Sequence, residues 1–201
     1  MRIASWNVNS IRARLPHLVD WLGAAHPDVV CIQETKVEDA LFPEEALADA
    51  GYRAVFFGQK SYNGMAILAR MQLAIDDVVK NLEGDDDESQ KRLLACTVDG
   101  VRIINVYVPN GQTVGAPAFA FKLAWLARLR DHLAATHTPS EPLLLCGDFN
   151  IAPEAIDVHD PKRWEGKVLF HPDERAALAR LIDWGLVDSF RRHHPETSDA
   201  F

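Results

Sequence analysis

Carboxylate, amide and phenol side chains stand at the ends of several apolar segments of strand length. Asn7 ends the first such segment, Glu34 the second and Tyr107 a later one. The last segment runs into Asp148, and Asn150 follows two residues further on. Parallel and mixed sheets carry their functional loops at the ends of core strands. One polar terminus would be ordinary, but four with compatible side chains predict a shared site.

The chemistry that these side chains suit is metal-assisted phosphoryl transfer. Glu34 and Asp148 are hard oxygen donors, and Mg²⁺ binds through one or two carboxylates while it keeps several waters. No cluster of histidine and cysteine has zinc spacing, so zinc is not expected. Asp148 and Asn150 point to the same side of an extended segment. The carboxylate could then act on a water while the amide donates to a phosphoryl oxygen, and Tyr107 could donate to the charge that builds on phosphorus.

Each of these residues also has a structural explanation when it is taken alone. Glu34 at a strand end could be a surface carboxylate, and Tyr107 could be a core phenol with a satisfied hydroxyl. Asn7 could cap a helix that begins near Ser10. The ordered set, rather than any one member, therefore favours the catalytic interpretation.

Apolar runs of strand length alternate along the chain with amphipathic stretches of helical spacing. β-Branched and aromatic runs bounded by Gly, Asp or Asn predict strands at Arg2–Val8, Val29–Glu34, Tyr52–Gly58, Gly64–Ala69, Arg92–Val98, Arg102–Val108 and Leu143–Phe149. Helices are predicted at Ser10–Ala25, Pro43–Ala50, Ala118–Ala135 and Pro172–Trp184. Asn63-Gly64 predicts a hairpin turn. Several strands are apolar at consecutive positions and thus buried on both faces, which predicts an α/β sandwich of mixed sheets with helices outside.

Composition is typical of a soluble globular enzyme, with 48% hydrophobic and 25% charged residues in 201 residues. We expect residues 1–201 to belong to one domain. No apolar run reaches the roughly 20 residues of a membrane span, and the N-terminus has no secretion signal. Cys31, Cys96 and Cys146 lie in apolar stretches, which favours buried free thiols and a cytoplasmic location over disulfides or a reactive cysteine.

The net charge of −8 argues against a protein that binds DNA chiefly by neutralising phosphates. An enzyme needs only a local basic rim, however, and a bound divalent cation offsets its acidic ligands. The acidic run of residues 85–88 supplies four of the negative charges and is expected to be a solvated loop. Acidity therefore weakens the case for tight DNA binding more than the case for the chemistry.

Six ordered segments carry a resemblance to a known family: SWNVNSIRAR (5–14), PDVVCIQETK (27–36), NGMAIL (63–68), NVYVPNG (105–111), GDFNIAP (147–153) and WGLVDSFR (184–191). They resemble the exodeoxyribonuclease III and abasic-site endonuclease family, within the wider endonuclease/exonuclease/phosphatase superfamily. The similarity extends over essentially the whole chain, and six motifs in order are far more specific than one.

The resemblance implies a four-layer α/β/β/α sandwich and a set of site residues. Its metal centre would comprise Asn7, Glu34, Asp148 and Asn150, with Glu34 as the direct ligand of Mg²⁺, for which Mn²⁺ could substitute. Tyr107 would contact the scissile phosphate, Asp148 would orient or deprotonate the attacking water, and Asn150 would stabilise the transition state. The implied activity is hydrolysis of the phosphodiester 5′ to abasic sites and removal of nucleotides from 3′ ends of double-stranded DNA, by a monomer.

Candidate DNA contacts are Arg12, Arg92, Asn110 and Trp164. Arg12 lies in the first motif, and Arg92 could approach the DNA backbone or merely balance the acidic run before it. Trp164 follows two basic residues, a combination that suits nucleic acid, although a solvated loop is an equal alternative.

The chain departs from the family pattern at its end. Family members continue with an Arg-x-Asp segment and a terminal Ser-Asp-His segment, so this chain is expected to lack C-terminal strands and the Asp-His pair. Asp131-His132 is a decoy, because the leucines around it predict an amphipathic helix. The chain expressed alone is accordingly expected to be poorly stable and weakly active.

Two alternatives to the repair nuclease stay open from the sequence. One is a catalytically impaired fragment that binds DNA without cutting it. The other is a phosphatase of the same superfamily that acts on a different phosphoester, such as a phosphorylated lipid or inositol. The amino-acid sequences of the first two motifs favour the DNA-cleaving branch of the superfamily.

Overall fold

The computed structural model describes residues 1–86 and 88–197. It divides into two compact units, the first formed by Met1–Tyr107 with Pro142–Asp148. The second contains Val108–Glu141 and the described residues from Phe149 onward. Asp87, within the predicted acidic loop, and residues 198–201 lie outside the described residues.

Two four-stranded sheets form the centre of the first unit. The first sheet has the order β1-β2-β4-β3, with β1 at Ile3–Asn7, β2 at Val29–Gln33, β3 at Tyr52–Phe57 and β4 at Met65–Arg70. The second has the order β5-β6-β7-β8, with β5 at Ile75–Lys80, β6 at Leu93–Val98, β7 at Val101–Tyr107 and β8 at Leu143–Asp148. Both sheets are mixed, because β1 and β2 are parallel, β7 and β8 are parallel, and the other pairs are antiparallel.

Every predicted strand is present, and β5 is an additional one. Its sequence is IDDVVK, and five of its six residues are exposed. An exposed edge strand with two aspartates and a break in register between Asp76 and Val79 has no apolar alternation to reveal it. The predicted turn residues Asn63 and Gly64 both have positive φ, of 52° and 87°, but they end a longer loop between β3 and β4.

The strands of the first sheet are buried on both faces, as their continuous apolar runs predicted. All five residues of β2 are buried. One face packs against α1 (Ile11–Ala25) and α2 (Glu44–Asp49) in a core that includes Leu18, Leu22, Val30, Ile32, Leu47 and Leu68. The other face packs against the second sheet through Val29, Cys31, Ile67, Leu94, Cys96 and Ile103.

The three cysteines of the first unit are free thiols; Cys31 and Cys96 are buried and Cys146 is half-buried. Burial raises the pKa of Cys96 to about 12. A hydrogen bond with Cys146 and burial raise the pKa of Cys31 as well. Cys31 and Cys96 thus remain protonated at neutral pH. Protonated thiols are poor nucleophiles, so neither residue supports the reactive-cysteine alternative.

The second unit is helical. Its helices are α3 (Pro117–Thr136), α4 (Pro161–Trp164), α5 (Pro172–Asp183) and α6 (Ser189–His193). The buried face of α3 includes Phe119, Trp125, Leu126, Leu129 and Leu133. Asp131-His132 therefore lies in an amphipathic helix, as predicted. Trp164 is the last residue of the short helix α4, so it does not lie in a loop. None of the helices in the described ranges is long and apolar enough to cross a bilayer.

Candidate active site

The carboxyl ends of two parallel strand pairs supply the polar residues of the first unit. In the first sheet Asn7 pairs with Gln33, and Glu34 follows directly. In the second sheet Tyr107 pairs with Asp148 at the ends of β7 and β8. The predicted strand-end residues of this unit therefore come from both sheets.

A single amide joins the two carboxylates. Nδ2 of Asn7 donates to Oε1 of Glu34 at 2.7 Å and to Oδ2 of Asp148 at 2.8 Å. Its Oδ1 accepts from the backbone N–H of Asn9 at 3.0 Å, which fixes the orientation of the amide. Asn7 does not cap α1, because the Ser10 hydroxyl accepts from the backbone N–H of residue 13. The neutral donor holds two negative groups close together without adding charge.

Unusual backbone geometry aims the two carboxylates. Glu34 has φ 55°, a left-handed conformation that non-glycine residues rarely adopt. Gly147 precedes Asp148 and has φ 139°, and a Cβ there would lie 1.9 Å from the carbonyl oxygen of Val106. Any side chain at Gly147 would thus push β8 away from β7 and displace Asp148. Strain of this kind is concentrated at functional sites.

Tyr107 completes the cluster as a phenol that remains protonated. Its hydroxyl hydrogen-bonds with the Glu34 carboxylate. Burial, followed by the charge of Glu34, raises the pKa of Tyr107 to about 12. The guanidinium of Arg92 lies 4.6 Å from the ring centroid of Tyr107 and donates to its carbonyl oxygen at 3.1 Å. Tyr107 is therefore a hydrogen-bond donor throughout the physiological pH range.

Glu34 is ionised and forms an ion pair with Lys36. Burial raises its pKa, but hydrogen bonds from Asn7, Lys36 and Tyr107 outweigh burial, so the pKa lies below its ordinary value. Nζ of Lys36 is 2.7 Å from Oε2 of Glu34, and it also contacts Oδ1 of Asn9. The ammonium thus sits among side-chain oxygens. An oxygen-only donor set that accommodates a positive charge fits a hard divalent cation.

The cluster differs from a closed metal cage. Among residues 1–86 and 88–197, no group of three or more His, Cys, Asp or Glu side chains is arranged to hold a metal ion. Glu34 and Asp148, joined by an amide, make a smaller donor set. Mg²⁺ is commonly held by one or two carboxylates with waters filling its other positions, and this set matches that requirement.

Asn150 belongs to a second cluster, in the second unit. Its Nδ2 donates to the carbonyl oxygen of Val108 at 3.1 Å, and its Oδ1 accepts from Nδ2 of Asn110 at 3.3 Å. Its backbone is left-handed, with φ 51°. Nζ of Lys122 donates to the carbonyl oxygens of Asn150, at 2.6 Å, and of Asn110, at 3.2 Å. Two predicted site residues are therefore held by one lysine.

The predicted DNA contacts occupy different settings. Arg12 is exposed in the first turn of α1. Arg92 is half-buried against Tyr107, and Asn110 is exposed beside Asn150. Trp164 is half-buried and makes an edge contact with His159, with ring centroids 6.2 Å apart. Arg12 and Asn110 are the more accessible of the four.

The sequence interpretation missed Lys122 and Glu174, which are both fully buried. A signal for them was present. Lys122 follows Phe119 by three residues and precedes Leu129 by seven, so it lies on the apolar face of α3. Glu174 stands seven residues before Leu181 on the apolar face of α5. A charged residue at a core position of a helix indicates a buried charge that needs a partner, although the pattern does not say which residue that partner is.

Comparisons with known proteins agree with this architecture. The family model described as Endonuclease/Exonuclease/phosphatase family matches residues 4–195. Exodeoxyribonuclease III of Haemophilus influenzae is 34% identical over 212 residues, which cover 100% of this chain and 79% of that protein.

Two solved structures are similar in fold. An AP endonuclease from Archaeoglobus fulgidus matches with a TM-score of 0.93 and 39% identity, covering 98% of this chain and 76% of that one. A 3′ phosphatase from Neisseria, bound to a product DNA hairpin, matches with a TM-score of 0.91, 41% identity and the same coverage. The likeness confirms the predicted α/β sandwich of two mixed sheets flanked by helices.

Proposed function

Because the chain belongs to the endonuclease/exonuclease/phosphatase family and is a hydrolytic phosphodiesterase of its exodeoxyribonuclease III branch, we propose that it is a magnesium-dependent DNA repair nuclease. It hydrolyses the phosphodiester 5′ to abasic sites and removes nucleotides from 3′ ends of duplex DNA. It acts in the cytoplasm as a monomer, and the free thiols are in keeping with a reducing compartment.

The observation that carries this proposal is the bridge from Asn7 to Glu34 and Asp148. It gathers two carboxylates from the ends of different sheets, next to a phenol that stays protonated. Phosphodiester hydrolysis requires a carboxylate that can take a proton, a carboxylate that can hold a cation and a neutral hydrogen-bond donor.

Asp148 is the group that activates water. It accepts a proton from the water as the water oxygen attacks phosphorus, and the bond from phosphorus to the leaving 3′ oxygen breaks. The leaving oxygen takes its proton from solvent. Because Asn7 donates to Oδ2 of Asp148, the carboxylate has a fixed orientation toward the water.

Tyr107 and Asn150 supply hydrogen bonds to the phosphoryl oxygens. Since the pKa of Tyr107 is raised to about 12, its hydroxyl keeps its proton. The hydroxyl exchanges its hydrogen bond with Glu34 for one to the charge that develops on phosphorus. The Asn150 amide donates in the same way. Preorganised donors of this kind commonly give the largest single contribution to catalysis.

Glu34 is the residue that would hold Mg²⁺ directly, with Asn7, Asp148 and Asn150 as the remaining members of the metal centre. The bound cation would supply positive charge at the phosphoryl oxygens. Arg12, Arg92, Asn110 and Trp164 are proposed to contact DNA. A local set of such contacts is compatible with the net charge of −8.

The test uses three end-labelled duplexes of one sequence: one with a single abasic analogue, one with an intact recessed 3′ end and one with a 3′ phosphate. Each is incubated with the protein in Mg²⁺ or in EDTA. We expect incision on the 5′ side of the lesion and stepwise shortening of the intact duplex, in Mg²⁺ only. Asp148→Asn is the matched control, because it keeps an acceptor for Asn7 while it removes the base.

The products separate the proposed function from its alternatives. Release of phosphate from the third duplex, without incision of the first, would support a 3′ phosphatase, the activity named for the Neisseria neighbour. Binding of DNA without any product would support a non-catalytic fragment. Incision that persists in EDTA or in Asp148→Asn would contradict the proposed mechanism.

A further inference from the structure

Lys122 is a fully buried lysine whose ammonium group is surrounded by acceptors. Nζ donates to the carbonyl oxygen of Asn150 at 2.6 Å and to that of Asn110 at 3.2 Å. It also forms an ion pair with Oε1 of Glu174, and both side chains are 0% exposed. An ammonium has three hydrogens to donate, and the carbonyl oxygens of both asparagines and the carboxylate of Glu174 are among its acceptors.

Glu174 is held as firmly as its partner. Its Oε2 accepts from the backbone N–H of His171 at 3.0 Å, as part of a capping box at the start of α5. The ion pair is thus anchored by a helix terminus on one side and by α3 on the other. Burying two charges is favourable only when hydrogen bonds satisfy their remaining valences, and here each partner has such bonds.

The two carbonyl groups that Lys122 binds belong to residues with proposed roles. Asn150 has φ 51°, a conformation that needs support from its surroundings. Its amide nitrogen donates to Val108, and its amide oxygen accepts from Asn110. The ammonium fixes the main chain of both asparagines, and the bond between their side chains then fixes their relative orientation.

We propose that Lys122 is a positioning residue that fixes the Asn150 amide, and with it Asn110, in the orientation used for phosphodiester hydrolysis. The proposal rests on the proposed function, in which Asn150 donates to the phosphoryl group. Lys122 itself touches neither substrate nor metal. A merely structural ion pair would stabilise the second unit without affecting the turnover of folded protein.

The experiment compares two double variants, Lys122→Met/Glu174→Gln and Lys122→Gln/Glu174→Gln. Both remove the buried charges together, and both keep an acceptor for the N–H of His171. Glutamine can still donate to a carbonyl oxygen, whereas methionine cannot. Arg175→Met/Glu165→Gln is the control, since it removes an ion pair of 2.8 Å that is partly exposed on the same unit.

Steady-state incision of the abasic duplex is measured for each variant, with thermal unfolding as a check on folding. We expect the methionine variant to lose between about tenfold and about 100-fold in kcat, as misplacement of a catalytic group does, with KM changed less than about twofold. The glutamine variant should recover part of the loss, and the control should match the wild type. A methionine variant that is folded and has wild-type kcat would overturn the proposal.

A second measurement does not depend on turnover. The side-chain amide signals of Asn150 in ¹⁵N-labelled protein, assigned by their loss in Asn150→Asp, report its environment. We expect them to move in Lys122→Met/Glu174→Gln and to stay in place in the control. Unchanged signals would overturn the positioning role even if kcat fell.

The two measurements keep the proposals separate. If the wild type does not cut DNA, the proposed function fails, but the Asn150 signals still test what Lys122 positions. If the wild type cuts DNA, Asn150→Ala should be impaired, and adding Lys122→Met/Glu174→Gln to it should reduce kcat no further. Fully additive losses would contradict the proposal that Lys122 acts through Asn150.

Discussion

This protein has an open polar cluster around Glu34 and Lys36 and a closed polar cluster around Lys122 and Glu174. The two clusters use charge in opposite ways. In the first unit Glu34 and Lys36 form an ion pair whose side chains are 16% and 26% exposed. In the second unit Lys122 and Glu174 form one whose side chains are 0% exposed. Water and ions can reach the first pair and exchange with its members. The second pair has no such exchange and can only hold its surroundings in place.

A neutral bridge formed by the side-chain amides of Asn105 and Gln33 explains why the open cluster needs no buried charge of its own. Nδ2 of Asn105, on β7, donates to the carbonyl oxygens of Ile32 and Ala66 in the other sheet, at 3.0 and 3.1 Å. Nε2 of Gln33 donates to Oδ1 of Asn105 at 2.6 Å. Gln33 directly precedes Glu34, and Asn105 stands two residues before Tyr107. Neutral amides thus fix the two sheets beneath the site and leave the charges above them accessible.

Exposed and buried charges therefore have different roles in this protein. Charges that take part in chemistry must change partners, so they contribute little to stability. Charges that position backbone are fully paired, so the loss of one partner leaves the other unpaired in the interior. Substitutions in the first cluster should therefore change activity more than stability, whereas substitutions in the second should change stability and, through Asn150, turnover as well.

The largest effect is expected from Asp148→Asn in the open cluster. Removal of the group that accepts the water proton should lower kcat by between about 100-fold and about 10,000-fold. Because an asparagine still accepts from Asn7, the free energy of unfolding should change by less than about 1 kcal/mol. Single-turnover cleavage and urea unfolding measure the two quantities. A loss of stability of several kcal/mol would break the comparison, because the open cluster would then be structural.

The next effect is expected from Lys122→Met in the closed cluster. It leaves Glu174 charged and unpaired in the interior, which should reduce the free energy of unfolding by about 3–5 kcal/mol. Lys122→Met/Glu174→Gln should restore part of this loss, because no charge remains unpaired. Urea unfolding of both variants checks the prediction. Equal stability of the single and the double variant would show that the pairing of charges is not what matters at this position.

A smaller effect is expected from Asn105→Leu in the neutral bridge. The substitution leaves Nε2 of Gln33 and the carbonyl oxygens of Ile32 and Ala66 without a hydrogen-bond partner on residue 105. Nε2 of Gln33 keeps two other acceptors, Oγ of Ser5 and the carbonyl oxygen of Cys31. A typical hydrogen bond contributes about 0.5–1.5 kcal/mol net, so the two lost bonds to carbonyl oxygens should reduce the free energy of unfolding by about 1–3 kcal/mol, which is below the loss for Lys122→Met. The same unfolding assay decides the order, and the reverse order would mean that the amide bridge carries more of the stability than the ion pair.

The smallest change in stability is expected from Lys36→Met. An exposed ion pair contributes less than about 1 kcal/mol, so the unfolding free energy should hardly move. Removal of the ammonium should, however, free the Glu34 carboxylate and lower the Mg²⁺ concentration at half-maximal binding. Calorimetric titration with Mg²⁺ measures this, and Arg175→Met, which removes a partly exposed cation of the second unit, is the control. Weaker Mg²⁺ binding by Lys36→Met would instead show that Lys36 helps to form the site.

Most of the secondary-structure elements and the chemical types of the site residues follow from local sequence patterns. Apolar runs that end in Asn7, Glu34, Tyr107 and Asp148 are local patterns, and so is the helical spacing around Asp131-His132. The strand β5 was not predicted, because an exposed edge strand places no apolar face in the core. Lys122 and Glu174 were not predicted as site residues, because a charged side chain on a helix is usually exposed.

Which of these residues contact one another depends on the tertiary fold. Asn7 bonds to Asp148 across 141 positions of sequence, and Lys122 bonds to Glu174 across 52. Local patterns carry no information on such pairings, because strand order, register and helix packing set them only when the whole core forms. The same packing leaves Glu34 open to ions and closes Lys122 off from them, a difference in burial that the identity of a charged residue does not encode.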